Sequence, residues 1–591
     1  MAGARTKANV LSRREIEGMI ADGRCIVVVD DQVLKLDAWL KFHPGGDLAI
    51  RHMVGRDATD EVNASKTQCS ALTIISLGRF IRLHSKATRQ RMTAFQIGRV
   101  EGRWTNFLPP IQGGRFRTYV KDQEDTDVTG SDTMSEISSE ESSRSRSPSP
   151  VFDSADENSV LRERRNGSST DLSTAGSSTP PADFSSEAEM RLSIVDACTQ
   201  KEIILDKTTY PPVDPAHQAN ISAKYRALEK RIRAAGLYQC NYSAYAVEAL
   251  RYSIFFGLFI FFLRRSYFCI SAFFLGCFWH QLVFTAHDAG HNGITHIYKV
   301  DATIGIIVAD FIGGLSLGWW KRSHNVHHIV TNSPEHDPDI QLMPFFALTT
   351  RFFNSLRSTY YDRVMGFDAV ARFTVKYQHY MYYPILLFGR FNLYFLSWEY
   401  LIMGLGPKKG PAWWHRWFEL VGQVFFWTWF GYGVVYASIP TWTSRVLFVL
   451  ISHMVTAPLH VQITLSHYAM STADLGIHES FAQKMLRTTM DVDCPKWLDF
   501  FHGGLQFQAI HHLYPTIPRH NLRKTQRFVQ EFCKEVEIPY AVFTFLGGNK
   551  KVIQKLGDVA MQARILEDCR RACAAHGVFT DHHAHSHEHA H

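Results

Sequence analysis

Several patterns that would assign the chain to a common class of protein are absent from its sequence. The ten cysteines form no CxxC pair, which disfavours structural disulfides and favours a reducing compartment. The N-terminus has no apolar signal core, so we expect the first domain to stay in the cytosol. The net charge of +7 is small for 591 residues. No Lys/Arg stripe interleaved with aromatic residues indicates a nucleic acid partner.

Hydrophobic residues make up 46% of the chain but are spread unevenly, and the length is too great for one ordinary domain. Residues 1 to about 105 have the composition of a small soluble domain. Residues 121–190 are rich in Ser, acidic residues and Arg, which cannot bury a core, so they predict a disordered linker. Long apolar runs then fill 247–465. The His-rich end, 575–591, predicts a dispensable disordered tail that could bind metal adventitiously.

The apolar runs predict a polytopic membrane domain with about four transmembrane helices. Each crossing needs roughly 20 apolar residues, and basic pairs such as Arg264-Arg265 flank the runs. An even number of crossings returns the chain to the cytosolic side. We expect crossings at 247–263, 267–286, 418–438 and 444–465, re-entrant or interfacial segments at 303–320 and 384–403, and an amphipathic helix on the cytosolic face at 218–235.

The strongest chemical signal in the chain is the second of three histidine clusters, residues 324–328 (HNVHH), which directly follows an apolar run. On a helix, positions i, i+3 and i+4 share one face, so His324, His327 and His328 would converge on one point. Neutral imidazole suits iron, zinc or copper, and this cluster alone leaves the choice open. The acidic run 335–339 follows it, either as a plain loop or as a source of carboxylates that orient the imidazoles.

Two further clusters repeat the same helical spacing. The first cluster, 287–291 (HDAGH), has its histidines at i and i+4, and lacks the HExxH spacing and glutamate base of a zinc hydrolase. The third cluster, 508–512 (QAIHH), has Gln at its first position. A row of histidines at intervals of seven ends at His467, which we expect at the cytosolic end of the last membrane run as an additional metal ligand. The two earlier histidines of that row are expected to pack within the membrane domain.

Near the N-terminus, the run His43-Pro44-Gly45-Gly46 is followed by GRDAT at 55–59. Pro and two Gly after a His build a tight turn that can present the imidazole to a flat cofactor. This pattern resembles the haem-binding core of cytochrome b5, which implies His43 as one axial ligand of haem b. We interpret residues 65–82 as an insertion from a translated intron and His84 as the displaced second ligand. The alternative ligand, His52, is expected to be a surface residue.

Taken together, these motifs resemble the membrane-bound histidine-box desaturases, and especially their front-end branch, in which cytochrome b5 is fused at the N-terminus and the third box begins with Gln. The resemblance implies two iron ions and an O2-dependent attack on unactivated methylenes. Gln508 offers an amide in place of an imidazole, as a weak ligand or only a neighbour. The ligands that the resemblance implies are His287, His291, His324, His327, His328, Gln508, His511 and His512.

The stretches 235–242, 465–470 and 501–508 are most similar to fungal sphingolipid 8-desaturases. This similarity implies a sphingoid base of ceramide or glucosylceramide, desaturated at C8–C9 with an E product. It also implies NADH-cytochrome b5 reductase and membrane lipids as partners, and an endoplasmic reticulum membrane with the haem domain and clusters facing the cytosol. Three alternatives stay open: a front-end acyl-chain desaturase, a lipid hydroxylase, and a haem-bearing membrane binding protein or metal sensor without turnover.

The expected architecture is therefore multidomain. A small α+β cytochrome b5-like domain covers 11–105, a linker 121–190, and an α-helical membrane desaturase domain 215–545, before the tail. A haem carried on a flexible tether raises the concentration of the electron donor at the metal site.

Overall fold

A computed structural model describes residues 9–64, 92–107 and 187–575 of the chain. The proposed insertion at 65–82, His84 and the tail beyond 575 lie outside the described residues. So does the linker predicted at 121–190, except for its last four residues. Those four are not linker but the first turn of a helix, Glu187–Thr209.

The N-terminal unit, residues 9–64 and 92–107, is a four-stranded sheet with short helices, as expected for the α+β class. Its sheet order is β1-β4-β3-β2, and β2 and β3 form a hairpin whose two turn residues, Asp30 and Asp31, both have positive φ. The apolar side chains of β2 are buried between the helices and the sheet. The elements are β1 Val10–Leu11, α1 Arg13–Ala21, β2 Ile26–Val29, β3 Gln32–Lys35, α2 Asp47–Arg51, α3 Thr59–Ala64 and β4 Gln96–Val100.

The helical part, residues 187–575, contains α-helices and two small two-stranded sheets, β5–β6 and β7–β8. Its strands are β5 Arg357–Ser358, β6 Arg363–Val364, β7 Asp491–Asp493 and β8 Val542–Thr544. Its helices are α4 Glu187–Thr209, α5 Pro215–Ala234, α6 Tyr242–Arg264, α7 Phe268–Gly290, α8 Tyr298–Ile306, α9 Leu317–Val330, α10 Ala369–Lys376, α11 Gln378–Leu387, α12 Gly389–Met403, α13 His415–Phe426, α14 Trp442–Met454, α15 Ala457–Tyr468, α16 Phe481–Thr488, α17 Asp499–His502, α18 Gln508–Leu513, α19 Arg519–Glu535 and α20 Phe545–Ala575.

Three stretches are long and apolar enough to cross a membrane: α6, α7, and α14 with α15 over Trp442–Tyr468. The helix α6 exposes large apolar side chains such as Val247, Leu250 and Phe261, as a lipid-facing helix does. A bent pair, α8 with its π-helical extension Ile307–Ile312 followed by α9, gives a fourth candidate. By length and composition, the described residues therefore contain three or four candidate membrane crossings.

Two of the sequence-based membrane predictions need comment. We expected the segment 303–320 to be re-entrant or interfacial. The bent pair turns by 118° within it, which is the geometry of a broken span or a re-entrant loop. The crossing expected at 418–438 is not among the three long apolar helices of the described chain. That stretch is helical, as α13 followed by the π-helical stretch Trp427–Ala437, and it exposes large side chains such as Val421, Val424 and Tyr432. The crossing there stays a prediction.

The helix predicted at 218–235 is α5, Pro215–Ala234, and it starts at an Asp214 cap. Its apolar face, including Ile221, Tyr225 and Ile232, is buried in a core cluster that also contains residues of α18 and α19. The prediction of a helix is confirmed. Its apolar stripe, however, packs against α18 and α19 rather than on a lipid surface, and this packing holds α18 in place.

Candidate metal centre and haem-binding loop

The first cluster lies at the end of the membrane helix α7. His287 is in the last turn, and His291 is the residue that caps the helix after Gly290. Their ring centroids are 4.8 Å apart. Helical spacing therefore brings this pair together as expected.

The second cluster occupies the C-terminal half of α9, whose first turn is capped by the side chain of Ser316. His324 and His328 lie one turn apart with their Nε2 atoms at 3.0 Å. The indole of Trp320 stacks on the His324 ring at 4.4 Å between centroids. This indole shields one side of the cluster from water.

The third cluster is on the short helix α18, where His511 and His512 are both buried. Gln508 is the first residue of the same helix and is also buried. His467 ends the last membrane stretch, in the final turn of α15, and its ring lies 4.5 Å from that of His327. Four separate segments of the chain thus supply imidazoles to one place.

The imidazoles form two groups. In each group, the nitrogen atoms that could bind a metal all lie within 4.8 Å of one another. His328 lies between the groups, with ring centroids 4.2 Å from His512 and 4.8 Å from His511. The first group is His287, His291, His324 and His511, and the second is His327, His467 and His512.

Hydrogen bonds fix the tautomers in the second group. His327 Nδ1 lies 2.9 Å from the carboxylate of Asp337, so Nδ1 carries a proton and Nε2 is the nitrogen that would bind a metal. Thr331 donates its hydroxyl proton to the His327 carbonyl at 2.6 Å, so its oxygen must accept from His512 Nδ1 at 3.2 Å. The Nε2 atoms of His327 and His512 face each other at 3.2 Å. Burial opposes protonation of His327, but the Asp337 and Asp339 carboxylates outweigh it and raise the pKa of His327 to about 9, so without a metal its Nε2 donates a proton to His512. A metal ion bound between the two imidazoles would take the place of that proton.

Four buried nitrogens of the two groups and of His328 have no hydrogen-bond partner within the described residues: His291 Nε2, His328 Nδ1, His467 Nδ1 and His511 Nε2. Buried polar atoms are nearly always paired, and a cluster of unpaired ones calls for a ligand. Burial, and then the neighbouring imidazoles, hold the pKa of His291, His511 and His512 well below the ordinary value. These three rings are neutral at physiological pH, as metal ligands must be, so they fit a metal centre. Despite burial, the Asp337 and Asp339 carboxylates raise the pKa of His327 to about 9, so this ring would lose a proton when a metal binds.

Asp337 belongs to the acidic run that the sequence offered either as a loop or as a source of orienting carboxylates. It is fully buried, and it accepts hydrogen bonds from the backbone N–H groups of Asn332 at 2.7 Å and Asp339 at 2.9 Å. These bonds hold the carboxylate against His327. The orienting role is therefore the one that the geometry supports.

A charged network behind the first cluster was not anticipated. Arg519, at the start of α19, pairs with Asp288 of the first cluster and with Glu248 of the membrane helix α6. Tyr245 donates to Asp288, and His520 lies 2.8 Å from Glu248. Although burial would lower the pKa of Arg519, Asp288 and the other nearby groups raise it, so the guanidinium stays charged. The sequence does hold one signal of this network, the carboxylate of Glu248 inside an apolar run, because such a carboxylate usually has a buried partner.

In the N-terminal unit, His43 stands at the start of the haem loop, residues 43–46. Its Nδ1 donates to the Gly46 carbonyl at 2.6 Å, which leaves Nε2 with the lone pair that an axial ligand needs. Gly46 has φ +85°, a conformation that favours glycine. The loop fits the role of a haem ligand carrier on this side, while the predicted partner His84 lies outside the described residues.

His52 is not the surface residue that the sequence suggested. It is 7% exposed, its Nδ1 lies 2.8 Å from the Leu48 carbonyl, and its Nε2 lies 2.8 Å from Thr359 Oγ1 of the helical part. The contact with Thr359 buries it between the two parts of the chain, which a local pattern in the sequence does not reveal.

Comparison with known proteins agrees with this arrangement. A model named "Fatty acid desaturase" matches residues 265–544, and one named "Cytochrome b5-like Heme/Steroid binding domain" matches 12–101. A protein of Emericella nidulans named "Delta 8-(E)-sphingolipid desaturase" is 63% identical over 580 residues, covering 98% of this chain and 99% of its own. The chain belongs to the cytochrome b5-fused desaturases.

Two other relatives of this desaturase carry the same name. That of Kluyveromyces lactis is 47% identical and covers 98% of both chains. That of Komagataella phaffii is 47% identical and covers 95% of both. The desaturase thus combines a domain of a haem-binding family with a domain of an iron-dependent membrane enzyme family. The His43 loop suits haem, and the two groups of buried imidazoles suit iron.

Proposed function

We propose that this desaturase introduces an E double bond between C8 and C9 of the sphingoid base of ceramide or glucosylceramide, using O2 and electrons passed through its own haem domain. The observation that carries the redox chemistry is the convergence of imidazoles from four segments, with unpartnered nitrogens, at the ends of membrane helices. The name shared by relatives over nearly the whole chain supports the choice of lipid.

Two iron ions would be held by the two imidazole groups. We propose His287, His291, His324 and His511 for one ion, and His327, His467 and His512 for the other, with His328 able to serve either. Gln508 is proposed as a weak ligand or a neighbour. Bound iron would supply the reduction of O2 and the abstraction of hydrogen. Haem b would be held by His43 and His84.

The side chains around the imidazoles have three tasks. Asp337 and Thr331 keep the protons of His327 and His512 on Nδ1, so that both Nε2 atoms are available. Trp320 covers the His324 ring and limits the access of water. The protein must also hold two adjacent methylenes against the centre, which is positioning rather than acid–base work.

The overall reaction balances as the loss of one hydrogen from each of two methylenes, with O2 reduced to two waters by these hydrogens, two electrons and two protons. We propose that NADH-cytochrome b5 reductase supplies the electrons one at a time through the haem domain. We place the protein in the endoplasmic reticulum membrane with the haem domain and the three clusters on the cytosolic side. We propose domain limits of 11–105 and 215–545, a linker at 121–186 and a tail at 576–591.

Lipid analysis by mass spectrometry tests the proposal, in yeast that lacks sphingoid-base desaturation and expresses the full chain. The expected result is a new 8-unsaturated sphingoid base with E geometry. A hydroxylated base would identify a hydroxylase. New double bonds confined to acyl chains would identify an acyl-chain desaturase. An unchanged lipid profile would favour the haem-bearing membrane binding protein or metal sensor without turnover.

A second strain expresses the chain without residues 65–82. A product from this shortened chain alone would support the view that 65–82 is an insertion that impairs haem binding. Equal product from both chains would contradict it. A known sphingolipid desaturase expressed in parallel shows that the host supplies substrate and reductase.

A further inference from the structure

The haem loop lies directly on the helix that carries the second cluster. Asn325, between two proposed ligands on α9, donates from Nδ2 to the Gly45 carbonyl at 3.4 Å. A methyl group built on Gly45 would lie 2.5 Å from Asn325 Nδ2 and 3.1 Å from His43 Cε1. The absence of a side chain at Gly45 is therefore what allows the His43 ring and Asn325 to approach each other.

Contacts on the same face hold the loop in this position. Asp47, which follows the loop, lies 3.4 Å from the Arg322 guanidinium. Leu48 of α2 packs against Val326 and Val330 of α9 in a small buried cluster. Polar and apolar contacts thus alternate along α9 and fix the orientation of α2 on it.

Contacts at the edges of the interface restrict rotation of the N-terminal unit. Asp60 pairs with Arg226 of α5 at 2.6 Å, and the Arg103 guanidinium donates to the Pro215 carbonyl at 2.6 Å. On another side, His52 Nε2 lies 2.8 Å from the Thr359 hydroxyl. These contacts surround the loop, so the unit is docked in one orientation.

We propose that Gly45 and Asn325 form the contact through which electrons pass from the haem domain to the metal centre. This inference rests on the proposed function. The route starts at the haem ligand His43 and runs along the loop to the Gly45 carbonyl. It crosses the hydrogen bond to Asn325 and reaches His324 through one peptide bond. Each passage oxidises the ferrous haem by one electron and reduces the metal centre by one, and two passages serve each O2.

Two variants of the full chain test the route from its two sides. Asn325→Leu removes the donor at similar size. Gly45→Ala is compatible with the backbone at a position whose φ is not positive, but its methyl group pushes Asn325 away. Thr359→Val is the matched control, because it removes an interface hydrogen bond outside the route.

The main readout is the rate at which haem, reduced by NADH and the reductase, is reoxidised in stopped flow with O2 and substrate. We expect a loss of at least about tenfold in Asn325→Leu and Gly45→Ala, and a much smaller loss in Thr359→Val. Iron content should stay at the parent level. Turnover driven by a chemical reductant that bypasses the haem should also be unchanged, which a merely structural defect would not allow.

The inference fails if Gly45→Ala keeps its iron and reoxidises haem at the parent rate, or if Thr359→Val slows reoxidation as much. If Asn325→Leu loses iron, Gly45→Ala alone decides, since it alters the N-terminal unit and no proposed iron ligand. Failure of the sphingolipid assignment looks different. In that case the parent chain reoxidises haem with another lipid and makes no 8-unsaturated base.

Discussion

The carboxylate of Asp337 lies 2.9 Å from His327 Nδ1, ten residues away in the chain, and both side chains are fully or almost fully buried. Backbone N–H groups hold the carboxylate from the other side. The imidazole therefore has one orientation, with a proton held on Nδ1, before any metal binds. Carboxylates in this position raise the basicity of the ligand as well as orienting it.

Replacing Asp337 by Asn should weaken the second imidazole group, because the amide keeps the shape but loses the charge. We expect a loss of iron affinity on the order of 10–100-fold, measured as iron retained against a chelator. Asp339→Asn is the control, since that carboxylate lies 3.7 Å from the same nitrogen and is partly exposed. Equal retention in the two variants would contradict the orienting role.

The buried arginine behind the first cluster should matter for stability. Arg519→Met leaves the carboxylates of Asp288 and Glu248 buried without their cation, which typically costs about 3–5 kcal/mol. Thermal unfolding in detergent measures the effect. Arg523→Met, one turn further along α19, removes a one-third-exposed arginine paired with Asp499 and should cost about 0–1 kcal/mol. Similar shifts for both variants would refute the network.

Docking of the haem domain should weaken at acidic pH. His52 and His336 meet at the interface with ring centroids 6.0 Å apart, and both lie within hydrogen-bond distance of Thr359. Burial lowers the pKa of His336 to about 3, and burial also lowers the pKa of His52. Besides burial, the neighbouring groups His52, Lys484 and Arg351 oppose protonation of His336. Asp474 favours it.

The direction follows from proton binding. When the domain separates, the imidazoles become exposed and return toward the ordinary pKa of 6.5, so the undocked state binds more protons between about pH 3 and 6.5. Docking is thus fully stable above pH 6.5 and is lost as the pH falls below it. Pulsed EPR distances between ferric haem and a spin label on α20 report docking, and His336→Gln should flatten the profile. Docking that tightens on acidification would contradict this assignment.

The last residue of the first cluster's helix, Gly290, is packed against the Trp320 indole. Gly290→Ala should displace the indole from the His324 ring and lower the rate of desaturation about tenfold or more. Gly257→Ala on the membrane helix α6 is the matched control, because no atom lies within 4 Å of its added methyl group. Product formed per unit of iron separates the two, and equal activity would show that the indole position is unimportant.

Local spacing was sufficient to predict the close pairs of the first and second clusters, but the prediction that His324 and His327 converge on one point was wrong, because they belong to different groups. The pairs at i and i+4 in the first two clusters follow from helix geometry alone, and the α+β N-terminal unit follows from the resemblance of its motifs to cytochrome b5. The cytochrome b5-like and desaturase segments are likewise matched by family models at 12–101 and 265–544. These features depend on residues close together in the chain.

What the sequence could not reveal depends on contacts between distant segments. Arg519 and Asp288 are 231 residues apart, and His52 and Thr359 are 307 apart. The division of the imidazoles into two groups has the same origin, because it depends on how α7, α9, α15 and α18 pack. The crossing expected at 418–438 stays a prediction, because that stretch is helical and exposes large side chains but is not among the three long apolar helices of the described residues.

The most direct test of the central claim is the metal content of the purified protein. Residues 576–591 are removed for this measurement, so that metal bound by the His-rich tail does not contribute. Plasma mass spectrometry of active protein should give two iron ions per chain beyond the haem iron, and His512→Ala should lose at least one of them together with the 8-unsaturated product. Active protein that contains zinc, or no iron besides haem, would contradict the account.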